Sequence, residues 1–166
     1  IRMRELSVQA ASDTVGDSER AFTDLEYQNL KQEIERISQV TEFNGKKLLN
    51  GAGETYDFQI GINNNDFQDR IKFNTEMLNS SSDSLGVTEL SIAEKAGAQE
   101  GLASLDAAIQ KVSGQRAELG AKQNRLSSTI QNLQVSNENL NAANSRIRDT
   151  DYAAETAMNA KLNILN

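Results

Sequence analysis

An apolar residue returns at every seventh position through the last third of the chain: Leu105, Val112, Leu119, Leu126, Leu133, Leu140 and Ile147. A helix completes a turn in about 3.6 residues, so a seven-residue repeat comes back to nearly the same face every two turns. An unbroken ladder of this length predicts one long helix with a narrow apolar seam, and such a seam needs another helix laid along it. A second line beside it carries Leu102, Ile109 and Ile130, but also Arg116, Gln123, Asn137 and Asn144. Polar residues on a seam lower stability and fix register. Ala107, Ala108, Ala117 and Ala121 permit close helix approach, so a small antiparallel bundle fits better than a two-stranded coiled coil.

The fold class that follows is mainly α: an elongated antiparallel helical bundle, two N-terminal helices against one long C-terminal helix, with a small β-hairpin region. The predicted helices cover about 1–11, 18–42 and 91–145. In the first, Met3, Leu6 and Ala10 share a face; in the second, Phe22, Leu25, Leu30, Ile34, Ile37 and Val40 form the expected inner stripe. Asp17 or Ser18 is the expected N-cap of the second helix. Asn44-Gly45 and Asn50-Gly51 read as turns. Tyr56, Phe58, Ile60 and Ile62 then alternate with smaller or polar residues, and Ile71 and Phe73 alternate again, which predicts a half-buried hairpin over 54–74. Residues 79–84 read as a polar loop. The third helix, at about 1.5 Å per residue, would span roughly 80 Å, which predicts a rod.

Composition narrows the function. Only 5% of residues are aromatic and 37% hydrophobic, enough for a thin core; proline is absent, which suits uninterrupted helices. A net charge of −7 without a basic cluster argues against nucleic acid as a partner. The absence of cysteine and histidine removes disulfides, thiolate chemistry, ordinary zinc sites and imidazole bases. No run reaches the roughly 20 apolar residues of a membrane span. Glu33 and Glu35, or Asp149 and Asp151, stand at a spacing that points them to different helix faces, so neither pair reads as an acid–base couple. Asn63 to Asp66 lacks the spaced acids of a calcium loop. No catalytic set, cofactor or metal site is expected. The chain opens at Ile1-Arg2-Met3 and closes at Ile164-Leu165-Asn166 without a start or stop signal, which reads as a fragment.

Several segments together resemble one family. Arg2-Met3-Arg4-Glu5-Leu6-Ser7-Val8-Gln9-Ala10-Ala11 is similar to the N-terminal signature of bacterial flagellins. So are Glu33 to Ser38 and Thr41-Glu42-Phe43-Asn44-Gly45-Lys46-Lys47-Leu48-Leu49, the strand Phe58-Gln59-Ile60-Gly61, the run Glu118 to Leu126, and Asn139 to Ala153. These motifs cover nearly the whole chain in the family's order. The resemblance implies a rod domain over 1–148 and, over 149–166, the start of a C-terminal helix of the inner tube. The implied role is a self-assembling structural subunit of the flagellar filament, not an enzyme; a hook–filament junction protein is the alternative.

The resemblance also assigns a surface. Arg2, Glu5, Leu6, Gln9 and Glu26 correspond to positions that contact the next subunit and that the animal Toll-like receptor for flagellin recognises. Leu6 is read there as a solvent-facing anchor. Asn29 and Leu30 depart from the family pattern, which often has glutamine and arginine. Implied partners are other flagellin subunits, that receptor, an export chaperone and the filament cap; implied location is the extracellular flagellum, reached through the flagellar export apparatus. Ser80, Ser81, Ser82 and Ser84 are candidate sugar acceptors, since flagellin sugars sit on exposed loop hydroxyls.

Overall fold

The computed structural model describes residues 1–149 and 152–165. The elements run α1 (Arg2–Ala10), α2 (Asp17–Val40), β1 (Glu42–Phe43), β2 (Lys46–Lys47), β3 (Thr55–Gln59), β4 (Arg70–Asn74), a short 3-10 turn (Glu76–Leu78), α3 (Lys95–Arg148) and α4 (Tyr152–Leu165). The fold is thus mainly helical, with one long C-terminal helix and two small antiparallel strand pairs. It divides into a compact unit, Ile1–Ala121, and a second unit, Lys122–Asn166.

α1 buries Met3, Leu6, Ser7 and Ala10, which fall on one face at helical spacing. The buried Ser7 hydroxyl is satisfied by donating to the Met3 carbonyl at 3.0 Å. α1 lies antiparallel to α2, because Arg2 meets Glu26 while Arg20 meets Ala10. It is also antiparallel to the start of α3, where Arg4 pairs with Asp106 and Asp13 with Lys95, each at 2.6 Å. α2 and the start of α3 therefore run the same way, with α1 as the reversed neighbour of both.

The inner face of α2 differs from the expected stripe. Its buried residues are Arg20, Tyr27 and Ser38, with Leu30 and Ile34 half-buried beside them, while Phe22 is 73% and Leu25 64% exposed. Two ridges compete on this helix. The one at 20, 27, 34 and 38 wins because Tyr27 supplies the large interior ring and Arg20 closes the end of α1. The Arg20 guanidinium donates from Nε to the Ala10 carbonyl at 2.8 Å, from Nη2 to the Ser12 carbonyl at 2.9 Å, and from Nη1 to Asp17 at 2.8 Å. The Ala10 carbonyl is among the unpaired acceptors that every helix end leaves, and Ser12 lies in the turn just beyond it. Asp17 is spent on this pair and is not the cap: Gly16, in extended conformation, holds that position with no side-chain bond.

β1 and β2 form a two-rung ladder, Glu42 opposite Lys47 and Phe43 opposite Lys46. The turn between them is Asn44-Gly45, with φ of 52° and 75°. Positive φ at both central residues is the type I′ hairpin geometry that Asn-Gly adopts most easily. β3 pairs with β4 in the register Tyr56 to Phe73 and Phe58 to Ile71. Ile71 is buried, and Tyr56 stacks on Phe73 at 6.4 Å between ring centres. The half-buried strand expected over 56–62 is covered only in part. β3 ends at Gln59, Phe58 is 45% exposed and Ile62 is 99% exposed, so the alternation there serves cross-strand contacts more than a core.

The polar loop expected over 79–84 is drawn inward at Ser82 and flanked by buried residues on both sides. Leu78, Ser82, Leu85, Val87 and Ile92 are buried, and Leu85, Val87 and Ile92 join Met3, Leu6, Ala10, Tyr27, Ala98, Leu105 and Ala108 in one core. α3 accordingly starts later than the expected position 91, because Asp24 accepts from the Ile92 amide at 2.8 Å and the Ser91 hydroxyl at 3.1 Å and holds the chain in a turn. In the second unit no described residue is buried.

Candidate interaction surface

The predicted surface residues fall into two kinds. Arg2, Glu5, Gln9 and Glu26 are exposed. Arg2 donates from Nε to Glu26 at 2.8 Å and from Nη1 to Glu5 at 3.4 Å, bridging the two helices. Glu26 foremost, then Glu5, holds the guanidinium in its charged form. Leu6 is different. It is 2% exposed and sits in the core beside Tyr27, so it is not the solvent-facing anchor expected. The reason is its angle: it lies with Met3, Ser7 and Ala10 on the face that α1 turns inward, one step round from Arg2 and Gln9.

The heptad ladder also divides. Leu105 is buried and Val112 packs against the same core, as an inward seam should. Further along, Leu119 is exposed at 37%, and in the second unit Leu126 is half-buried while Leu133, Leu140 and Ile147 reach 48%, 66% and 86%. α4 carries Tyr152, Met158, Leu162, Ile164 and Leu165, all exposed. Thr150, Asp151 and Asn166, which belong to the predicted terminal segment, lie outside the described residues.

Sequence reasoning missed a polar device that shapes this surface from beneath. Asp24, Gln28, Lys31 and Glu35 recur at alternating steps of four and three along α2, one stripe that a pattern reading takes for a solvated face. Each grips the backbone of the 82–92 segment. Besides the Asp24 bonds, Gln28 donates to the Leu90 carbonyl at 3.3 Å, Lys31 to Thr88 at 2.7 Å and Leu90 at 3.1 Å, and Glu35 accepts from the Ser82 amide at 2.8 Å. The Ser82 amide and then Gln39 hold the Glu35 carboxyl below the ordinary glutamate range. α3 adds Lys111, which donates to the Ser84 carbonyl at 2.6 Å, and Gln115, which donates to Met77 and Asn79. A coil that carries Leu85, Val87 and Ile92 into a core must satisfy its own amides and carbonyls somehow, and this stripe does it.

The serines named as sugar acceptors sit inside that device. Ser82 is buried, and Ser80, Ser81 and Ser84 are half-buried with their hydroxyls bonded to Leu78 and Gln115, to the Ser84 amide, and to Asn79 and Lys111. The exposed loop that the assignment required is absent from these positions. Among the described residues no cluster of three His, Cys, Asp or Glu could hold a metal, and no helix is long and apolar enough to cross a membrane.

What this geometry organises is helix packing, backbone clamps and surface ion pairs, with apolar residues left uncovered on α3 and α4: the class is a helical structural protein. Residues 1–54 match the bacterial flagellin N-terminal helical region and residues 102–166 the bacterial flagellin C-terminal helical region. A flagellin of Halalkalibacterium halodurans is 39% identical over 99% of this chain and 60% of its own length. The flagellar filament 30.7 kDa core protein of Treponema maltophilum is 37% identical over 99% of this chain and 61% of its own. The crystal structure of Bacillus cereus flagellin superposes with a TM-score of 0.67 at 31% identity, covering 86% of this chain and 80% of that one. The chain belongs to the bacterial flagellin family. It spans about three fifths of the length of these two curated relatives.

Proposed function

We propose that this chain supplies part of a structural subunit of the bacterial flagellar filament, working by lengthwise helix packing with other copies outside the cell. The observation that carries the reading is the uncovered end of the ladder. Leu133, Leu140 and Ile147 keep strict heptad spacing yet stand largely in solvent. A sustained apolar seam is stable only against another helix, and an uncovered apolar row of this kind marks an interaction site. The relatives named as flagellin and as a filament core protein support the same role. The test is polymerisation of the full-length protein carrying Leu133→Asp and Leu140→Asp. Loss of filaments with an unchanged melting curve of the free subunit supports the role; filaments of normal length and yield remove it.

Arg2, Glu5, Gln9 and Glu26 form the surface we assign to contact with a neighbouring subunit and to recognition by the animal Toll-like receptor for flagellin. Arg2 offers a planar fork already ordered by two carboxylates, which lowers the entropy cost of engaging it. Export-chaperone and filament-cap contacts belong to the same reading of the whole protein. A receptor reporter assay with Arg2→Ala and Gln9→Ala tests the surface, and a response unchanged in both removes that assignment.

A further inference from the structure

We infer that Asn44 is a site of spontaneous backbone-assisted deamidation in the folded protein, and that the second Asn-Gly pair, Asn50-Gly51, is protected from it. The reaction needs an asparagine side chain free to turn and a following residue whose amide nitrogen can reach it. The Gly45 nitrogen attacks Cγ of Asn44, forming a five-membered succinimide and expelling ammonia. Water then opens the ring at either carbonyl, giving aspartate or isoaspartate. A glycine at the second position removes the Cβ that would hinder the attack.

The sequence offers the same dipeptide twice, and the structure separates the two. Asn44 and Gly45 are both exposed at the tip of the β1–β2 turn, and open space surrounds Gly45, with nothing within 4 Å of where a Cβ would stand. The Asn44 carboxamide makes no hydrogen bond among the described residues. Its backbone starts in the left-handed region, at φ 52°, so the turn must open before Gly45 can attack. Little opposes opening here: the ladder has two rungs, joined beyond them by one backbone bond from the Leu48 amide to the Thr41 carbonyl and by the exposed Glu42–Lys47 ion pair, and exposed pairs contribute little. Thin, solvent-exposed pairings of this sort are the first to fluctuate.

Asn50 and Gly51 are half-buried instead. The Asn50 Oδ1 accepts from the Ala52 amide at 3.1 Å, which restrains the carboxamide from turning. A Cβ on Gly51 would stand within 2.3 Å of the Asn79 side chain, so the backbone there is confined. The neighbouring Ser80 amide donates to the Leu49 carbonyl at 3.0 Å and pins the chain just before Asn50. Opening Asn50 therefore breaks bonds that Asn44 does not have.

The products differ in effect. Aspartate at position 44 adds one negative charge beside Lys46 and leaves the turn in place. Isoaspartate lengthens the main chain by one carbon and destroys a two-residue turn, which fixes the register of Phe43 on Lys46.

The experiment is to hold the folded chain in mildly alkaline buffer at body temperature and follow both sites by tryptic peptide mapping in heavy-oxygen water, with a urea-denatured sample alongside. The peptide Ile37–Lys46 contains Asn44 as its only asparagine, and fragmentation of the following peptide resolves Asn50. The folded sample should convert Asn44 faster than Asn50 by several-fold, up to about tenfold, the factor that one restraining hydrogen bond supplies. In urea the two rates should converge. Equal rates in the folded chain, or Asn50 ahead, overturn the inference. So does an Asn44 that stays intact while the denatured chain converts, since the turn would then be the protector. Asn44→Gln must abolish the first mass gain and leave Asn50 unchanged; a gain that persists in Ile37–Lys46 also overturns the assignment.

Discussion

Leu6→Ala separates a core residue from an interface residue. The side chain is 2% exposed and belongs to the cluster of Met3, Ala10, Tyr27 and Leu105, so truncation removes buried methyl groups and leaves a hole that a helix anchored on two sides fills poorly. Leucine-to-alanine changes in such positions cost about 2–5 kcal/mol. We take about 3 kcal/mol, since the first unit has few elements to relax around α1. With a urea dependence of roughly 2 kcal/mol per molar, the midpoint should fall by about 1.5 M. The assay is urea unfolding followed at once by far-ultraviolet circular dichroism and by tyrosine emission, which suits a chain with three tyrosines and no tryptophan. Gln9→Ala, one step away on the exposed face, should change stability by less than about 0.5 kcal/mol. A Leu6→Ala midpoint equal to that of Gln9→Ala would refute the core placement and restore the leucine to the surface. The contrast matters for any binding study, because lost binding in Leu6→Ala would report a damaged fold.

Three further outcomes are expected. Arg20→Met removes the donor of the Ala10 carbonyl and leaves the Ser12 carbonyl with only a long bond from the Val15 amide, and should cost about 2–4 kcal/mol, measured by the same urea titration; Arg20→Lys should recover little because one ammonium cannot hold the fork's three acceptors. Tyr27→Phe should be neutral or stabilising by up to about 1 kcal/mol. The phenol is fully buried and closes no hydrogen bond of ordinary geometry, and burial, only partly offset by Ser7, pushes its pKa up to about 12; a loss of stability in the thermal midpoint would contradict this. Glu35, whose folded carboxyl titrates below the ordinary glutamate value of 4.5, contributes stability that is present above that value and is lost as the pH falls through the folded one; Glu35→Gln should therefore flatten the acid limb of the stability curve, read from melting points across that window.

Much of the fold was legible because its signals are periodic. The ladder from Leu105 to Ile147 specifies a single long helix, and α3 runs Lys95–Arg148. The Asn44-Gly45 turn was legible because only one hairpin type suits it. The failures share a cause: periodicity ranks faces by hydrophobicity, whereas several inward positions here are polar. Arg20 and Ser38 are buried on α2 while Phe22 and Leu25 are not. Likewise the polar composition of 79–84 marks that run as solvated, although Leu78, Leu85 and Val87 carry the segments on either side of it into the interior. In the run itself, Asn79, Ser80, Ser81 and Ser84 are spent on bonds to α3 and to their own turn, and a sequence pattern cannot distinguish that use from hydration.

Angle around α1, more than nearness in sequence, decides which of the surface residues reach solvent. Arg2, Leu6 and Gln9 stand close together in sequence, and a family motif treats them as one unit. Their positions around α1 differ by enough that Leu6 enters the core that also holds Tyr27, while Arg2 reaches Glu26 across the helix pair. The ion pair is exposed on both sides and contributes little to stability, as exposed pairs generally do. Its value is positional. It fixes α1 against α2 at the surface, directly above a core that Leu6 and Tyr27 fill and that Arg20 closes at one end. A partner docking on Arg2, Glu5, Gln9 and Glu26 would therefore meet side chains held by a packed helix pair, and the residues that set binding and the residues that set folding can be altered one class at a time.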